Sequence, residues 1–233
     1  MYLHTPPSVI SGEHNVRLVI IGPPGSGKGT RARIIGKLYN IPVITTGDML
    51  RNAVAEDTKL GKLADSYMSK GELVRDDIVI GIVKEQISKP NIINGFVLDG
   101  FPRSIEQAEA LDQILREQGI CLDVVLVVKA EPNTIINRLS LRRSCPNCGA
   151  IYHLKDMPPA KKGVCDECGT RLVQRNDDKE EIILNRLEVY WKQTFPILER
   201  YMNANKVREI SGELNIDQIP DEVKRILSDI VPS

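Results

Sequence analysis

The sequence predicts an α/β fold in which a doubly wound parallel sheet carries a phosphate-binding loop. Short apolar runs, typical of strands buried on both faces, alternate along the chain with longer helical patterns. The first run, Val16–Ile21, leads directly into the glycine-rich stretch GPPGSGKGT and then into a helical segment. In sheets of this class ligands bind at the carboxyl ends of the strands, so we expect the functional site there.

The predicted elements follow the same alternation to the end of the chain. Strands are expected at 16–21 and 41–44, and around Val97, Val125 and Val207. The predicted helices cover 47–56, 60–70, 75–89, 105–118, 132–143, 178–203 and 216–228.

Two segments interrupt this alternation and divide the chain into predicted domains. Residues 46–74 contain helices with no strand between them, so we expect a small helical unit that stands off the sheet. Residues 144–175 are poor in apolar side chains and rich in cysteine, so they need a staple in place of a core. The remaining parts, 16–45, 75–143 and 176–233, form the predicted core domain, and 1–15 are expected to be a disordered tail.

The glycine-rich stretch has the composition of a loop that cradles phosphates. It consists of Gly22, Pro23, Pro24, Gly25, Ser26, Gly27, Lys28, Gly29 and Thr30. Gly22, Gly27 and Lys28 fit the pattern G-x-x-x-x-G-K, in which backbone N–H groups and the helix N-terminus bind polyphosphate. The strict pattern has a hydroxyl residue directly after the lysine, but here Gly29 intervenes and the hydroxyl arrives at Thr30.

Asp99 ends the apolar run FVLD, where a carboxylate at the end of a strand can hold the water ligands of Mg²⁺. We expect it to act there together with Thr30. The alternative reading of Asp99 is a cap of the following turn or helix.

Four of the five cysteines form two C-x-x-C pairs, each followed by glycine. The pairs are Cys145 with Cys148 and Cys165 with Cys168, and sixteen residues separate them. This spacing predicts a structural metal site with four thiolate ligands, holding zinc or iron. The fifth, Cys121, precedes an apolar run, and we expect it in the core.

Composition excludes some classes of function. The chain has 31 basic and 31 acidic residues, which argues against binding nucleic acid through phosphate neutralisation. It has no apolar run of membrane-spanning length, and its first fifteen residues do not read as a secretory signal. We therefore expect a cytoplasmic protein that binds neither nucleic acid nor membrane.

Five motifs, in this order, resemble those of adenylate kinases. They are GPPGSGKGT, TTGDMLR (45–51), GELV (71–74), DGFPRSIEQ (99–107) and QRNDD (174–178). The displaced Thr30 is that family's own form of the loop. The resemblance implies reversible transfer of a phosphoryl group from MgATP to AMP, giving two ADP, by a monomer active in purine nucleotide metabolism. It also implies that 46–74 is an AMP-binding flap and that 144–175 is a metal-binding LID that closes over ATP.

The resemblance assigns roles to particular side chains. It implies that Lys28, Arg103, Arg142, Arg175 and Arg186 act on the phosphates during transfer. Arg138 and Arg142 belong to the ATP site with the loop, and Arg138 lies over the adenine. The implied AMP site contains Thr46, Arg51, Val74, Gly100, Arg103, Gln107, Arg175 and Arg186. Spacing adds that Arg138 and Arg142, four residues apart, share one face of a helix.

Two interpretations stay open for the paired aspartates and for the histidine of the cysteine-rich segment. Asp177 and Asp178 either hold the LID against the core or cap the helix that follows. His153 faces a nucleobase or lies on the surface, because four thiolates already complete a tetrahedron. Trp191 is expected to pack in the core.

Two alternatives to the ATP:AMP reaction stay open at this point. One is a GTP:AMP phosphotransferase of the same fold. The other, from a different class, is a zinc-ribbon ATPase that binds nucleic acid, which the zero net charge and the 4% aromatic content disfavour.

Overall fold

The computed structural model describes residues 16–92 and 94–231, and within them a parallel sheet forms the centre. Its strands are β1 (Val16–Ile21), β2 (Val43–Thr45), β3 (Gly95–Asp99), β4 (Val124–Lys129) and β7 (Val207–Ser211), since β5 and β6 belong to a separate hairpin. They lie side by side in the order β2-β3-β1-β4-β7. The register pairs Ile20 of β1 with Asp99 of β3 and with Leu126 of β4, so β1 lies between these two strands. The predicted doubly wound α/β fold is confirmed.

Helices α1 (Lys28–Tyr39) and α9 (Ile219–Leu227) pack on one face of this sheet, and α4 (Asp76–Ile87), α5 (Ile105–Glu117) and α8 (Ile197–Asn203) pack on the other. The further helices among the described residues are α2 (Thr46–Ala55), α3 (Lys59–Met68), α6 (Pro132–Ser140) and α7 (Glu180–Val189).

Alternate side chains of β1 explain why the strands are apolar on both faces. Leu18 and Ile20 pack in a buried cluster with residues of α1 and α9. Val19 and Ile21 point the other way, into a cluster with residues of α4, α5 and α8. Because neighbouring strands are all parallel, their carboxyl ends lie at the same end of the sheet.

The segment 46–74 contains α2 and α3 with no strand between them, as the sequence predicts. Gly61 makes the close contact between these helices possible, because a Cβ there would lie 2.0 Å from the backbone oxygen of Ala53. The division into domains itself stays a prediction.

A small antiparallel hairpin leads into the segment 144–175, and the helix before it ends three residues earlier than predicted. Strand β5 (Arg142–Ser144) pairs with β6 (Ile151–His153). Helix α6 therefore ends at Ser140, and the prediction of a helix to residue 143 is wrong at this end. The pairing of Arg142 with His153 fixes the backbone as a strand, so Arg138 and Arg142 do not share a helical face.

Three further expectations are wrong or incomplete. The predicted helix 178–203 is interrupted: α7 runs into a π-helical turn, Tyr190–Thr194, before α8. Trp191 lies in this π-helical turn, is 54% exposed and rests on Phe195, with ring centroids 4.9 Å apart. Cys121 is exposed, since it lies in the loop before β4 rather than in the strand.

The expectation of a disordered tail falls on residues outside those that the structure describes. Among residues 16–92 and 94–231, no helix is long and apolar enough to cross a membrane.

Candidate active site

The glycine-rich loop lies where β1 ends and α1 begins, and its glycines are required by close contacts. A Cβ at Gly22 would lie 2.7 Å from Ser26 Oγ and 2.8 Å from the carbonyl oxygen of Val128. Gly27 has φ 88°, in the left-handed region that glycine favours. The backbone N–H of Ser26 donates to Pro23 O at 3.1 Å, which closes the turn. The loop therefore curls around the N-terminus of α1, which is a ready anion site.

Gly29 lies directly beside the carboxylate that ends β3. A Cβ at this position would lie 3.1 Å from Asp99 Oδ2, so any larger residue would require the carboxylate to shift slightly. The hydroxyl of the loop follows one residue later, at Thr30. Asp99 is 6% exposed, and burial raises the pKa of its carboxyl group, an effect that the nearby ammonium of Lys28 partly offsets.

Lys28 is the first residue of α1, and it lies among other cations. Its Nζ donates to Pro23 O at 3.3 Å. Burial, opposed by the attraction of Asp99 and reinforced by Arg103 and Arg186, lowers the pKa of Lys28 to about 7. The loop thus holds a lysine that gains strongly from a bound anion.

Two hydrogen bonds and close packing against Gly100 hold Arg103 in place. Its Nε donates to Gly100 O at 2.8 Å, and its own carbonyl accepts from Thr194 Oγ1 at 2.9 Å. A Cβ at Gly100 would lie 2.8 Å from Arg103 Nη2 and 2.9 Å from Thr46 Oγ1. Burial, with Arg186 nearby, lowers the pKa of Arg103 to about 10, so the guanidinium stays charged at neutral pH.

One buried carboxylate gathers two further arginines. The side chain of Asp178 has no solvent exposure and accepts from Arg142 Nε at 2.7 Å and from Arg142 Nη2 at 2.5 Å. It also accepts from Arg186 Nη1 at 3.1 Å, and the neighbouring Asp177 pairs with the same nitrogen at 3.0 Å. Between the two readings of these aspartates, the geometry favours an ionic anchor: no side-chain cap is formed at the start of α7.

Arg175 completes the group from the end of the LID. Its Nη2 lies 3.7 Å from Asp48 Oδ1, and the same carboxylate oxygen accepts from Arg51 Nη2 at 2.5 Å. Burial, with Arg51 and Arg142 close by, lowers the pKa of Arg175 to about 9. Its Nε is buried and finds no partner among the described residues.

Two cavities meet at this cluster. The first is lined by the flap, α4 and α5, and includes Thr46, Val74 and Gln107. The second measures about 610 Å³, a size typical of ligand pockets, and includes Thr30, Asp99 and Arg138. The side chains that line both cavities are cationic: Lys28, Arg51, Arg103 and Arg186. The arrangement is two pockets with a positively charged wall between them.

A sequence model of the adenylate kinase family matches residues 20–206. The chain belongs to the adenylate kinase family. A curated adenylate kinase of Thermoanaerobacter sp. (strain X514) is 46% identical over 214 residues, which are 92% of this chain and 99% of the relative. One of Archaeoglobus fulgidus is 46% identical with the same coverage, and one of Geobacillus sp. (strain WCH70) is 49% identical over 91% of this chain and 98% of the relative.

The four cysteines of this adenylate kinase family member form one cluster. Cys145 and Cys168 have their sulfurs 3.4 Å apart, those of Cys148 and Cys165 are 3.5 Å apart, and all four lie within 4.8 Å of one another. A tetrahedral zinc site with Zn–S of about 2.3 Å has sulfur–sulfur edges of about 3.8 Å, so the set fits a metal ion.

Backbone turns form the two halves of the cysteine cluster alike. The N–H of Gly149 donates to Cys145 O, and that of Gly169 donates to Cys165 O. Both glycines have positive φ, of 73° and 75°. Glycine suits both positions, because other residues rarely adopt this left-handed backbone conformation.

Sequence reasoning missed part of the second cavity. The loop after β7, from Gly212 to Asp217, lines it together with Ile151, Tyr152 and His153. Arg138 Nη1 donates to Gly212 O at 3.0 Å, which ties α6 to this loop. No motif marks this loop. It follows the carboxyl end of a strand, however, and in open α/β sheets ligands bind at the carboxyl ends of the strands, so its position is the signal that could have found it.

Arg31 was also missed, although it supports the adenylate kinase loop directly. It is 2% exposed, and its guanidinium donates to Gly27 O at 3.3 Å and to Ser211 O at 2.5 Å. The sequence shows only that Arg31 lies in the first turn of the helix after the loop. Its contact with the end of β7 is visible only in the structure.

Proposed function

We propose that this protein catalyses reversible transfer of the γ-phosphoryl group of MgATP to AMP, giving two ADP. The observation that carries the proposal is the cationic wall shared by two cavities. Two nucleotides that bind with their phosphates toward this wall bring a phosphate oxygen of AMP next to the γ-phosphorus of ATP, as in-line transfer requires. The GTP-dependent alternative is not favoured, because the curated relatives above are named adenylate kinase.

The residues divide the work by their position. In the donor site the loop 22–30 binds the β- and γ-phosphates with backbone N–H groups and Lys28, and Arg138 stacks on the base. In the acceptor site Arg51 and Arg103 hold the AMP phosphate, while Thr46, Val74, Gly100 and Gln107 receive the adenosine. Arg142, Arg175 and Arg186 neutralise the transferring group, because a guanidinium forks onto phosphate oxygens and stays charged.

A magnesium ion bound with the nucleotide fits the donors at the end of β3. The Asp99 carboxylate and the Thr30 hydroxyl line the same cavity as Lys28, and both offer the oxygen ligands that Mg²⁺ prefers. When bound, the ion neutralises phosphate charge. Asp99 and Thr30 would hold its water ligands.

We infer that the four thiolates hold zinc, with iron as the other ion that suits the set. All four positions of a tetrahedron are then filled by protein, so the metal stabilises the LID and takes no part in transfer. Four thiols kept as metal ligands suit a reducing compartment, so we place the protein in the cytoplasm. We further propose that it is a monomer that acts on ATP, AMP and ADP in purine salvage and binds no nucleic acid.

The direct test measures phosphoryl transfer from ATP and from GTP to AMP, CMP and UMP, with metal analysis of the same sample. We expect ATP with AMP to be the best pair and about one zinc per chain, which is the stoichiometry of one four-thiolate site. Preference for CMP or UMP over AMP would contradict the assignment of the acceptor site.

A further inference from the structure

The side-chain amide of Gln107 is hydrogen-bonded at both ends. Its oxygen accepts from the backbone N–H of Arg103 (Oε1···N 2.8 Å), and its nitrogen donates to the carboxylate of Asp76 (Nε2···Oδ1 2.6 Å). A backbone N–H can only donate, and a carboxylate can only accept. Reversing the amide would therefore oppose donor to donor and acceptor to acceptor. Asp76 and Arg103 together fix which end of the amide is oxygen.

Asp76 is in turn held by the turn that carries Gln107. Its second oxygen accepts from Ser104 Oγ at 2.9 Å, and the same Ser104 oxygen accepts from the backbone N–H of Gln107 at 3.1 Å. Both Ser104 and Gln107 are buried, at 7% and 1% exposure. The three residues form a closed ring of hydrogen bonds, so the carboxylate cannot turn away without breaking several of them.

The fixed amide presents a defined pattern to the first cavity, which Gln107 lines. One N–H and one oxygen lone pair remain for a ligand. Adenine matches them, because its N6–H donates beside a ring nitrogen that accepts. Hypoxanthine carries O6 in place of the amino group and a hydrogen on N1, so its edge has the opposite polarity. Only the reversed amide would pair with it.

We propose that Asp76 is a positioning residue that sets the base specificity of the acceptor site, by locking Gln107 in the orientation that accepts a 6-aminopurine and rejects a 6-oxopurine. This inference rests on the proposed function, which places AMP at Gln107. Asp76 need not touch the nucleotide to act in this way.

The test compares AMP and IMP as acceptors for MgATP in the wild type and in Asp76→Asn. An amide at position 76 can turn either end toward Gln107, so the orientation of the Gln107 amide then depends on the Arg103 N–H alone, while the shape is kept. We expect the ratio of kcat/KM for AMP to that for IMP to fall about tenfold, the effect of one hydrogen bond to a charged group. We also expect kcat/KM for IMP to rise in absolute terms, which structural damage alone would not produce.

Asp77→Asn is the matched control. This neighbouring carboxylate is exposed and pairs with Arg75 at 2.8 Å. The ratio should keep its wild-type value in this variant. An unchanged ratio in Asp76→Asn, with a wild type active on AMP, would overturn the lock and leave the proposed function intact. A wild type that does not use AMP would overturn the proposed function and the lock together.

If Asp76→Asn does not fold, hydrogen exchange in the free wild type decides the matter. The side-chain NH₂ signals of Gln107 can be assigned by their absence in Gln107→Leu. The lock predicts that the N–H donated to Asp76 exchanges slowly with solvent. Exchange as fast as that of an exposed glutamine would refute it.

Discussion

Replacing Asp178 by asparagine tests whether the arginines of the site depend on one buried carboxylate. Asp178 accepts two hydrogen bonds from Arg142 and one from Arg186. Asparagine keeps the shape but removes the charge and turns one acceptor into a donor. One guanidinium N–H then faces another N–H in a buried place, and two positive charges lose their shared partner.

The size of the effect follows from burial. Breaking a buried ion pair by removing one partner costs about 3–5 kcal/mol. The side chains of Arg142 and Arg186 are each 17% exposed, so some solvent reaches them and we take the lower end, about 3 kcal/mol. For a chain of this length, ~1 kcal/mol corresponds to about 2–4 °C, so Tm should fall by about 6–12 °C.

The assay is thermal unfolding with and without MgADP, which supplies phosphate oxygens as replacement partners. The rise in Tm on adding MgADP should be larger in Asp178→Asn than in the wild type, because binding relieves the mutual repulsion of the arginines. Asp112→Asn is the control, since Asp112 pairs with Arg200 at 2.5 Å near the surface and such a pair contributes at most about 1 kcal/mol. A Tm for Asp178→Asn equal to that of the control would refute the reasoning.

Three further predictions concern charge and metal. The pKa of Lys28 is lowered to about 7 in the free protein, so most of this side chain is neutral at pH 8. Nucleotide phosphates raise that pKa, so binding should be accompanied by proton uptake. Calorimetry in buffers of different ionisation enthalpy should detect this uptake, and proton release would contradict the prediction. Arg142→Ala should lower kcat more than it raises KM for either substrate, and a pure KM effect would demote Arg142 to a binding residue. Removing the metal, or combining Cys145→Ser with Cys168→Ser, should lower Tm while most activity at low temperature survives; full thermal stability with no turnover in the cold would make the site catalytic.

Local patterns in the sequence were sufficient for features that depend on neighbouring residues. The phosphate loop, the four-cysteine cluster and the alternation of strands and helices could each be predicted, because glycine turns, thiolate spacing and apolar runs act over a few residues. Asp99 was also found, since the end of a buried strand is visible in the sequence.

Features that depend on distant contacts could not be predicted. Arg142 lies in a strand because it pairs with His153 across the LID hairpin, and periodicity around 132–143 carries no sign of that pairing. Trp191 lies in a π-helical turn, where the side chain that faces the core cannot be read from a 3.6-residue period. The role of Asp76 depends on a carboxylate meeting an amide 31 residues away along the chain.

The turnover of Lys28→Met tests most directly the claim that the shared cationic wall carries phosphoryl transfer. Lys28 lines both cavities, and its replacement leaves the loop's backbone N–H groups in place. At saturating MgATP and AMP we predict that kcat falls by about 10²–10³-fold, the effect of losing one preorganised charged group, while the variant stays folded by circular dichroism. Near-normal kcat in the folded variant would contradict the account.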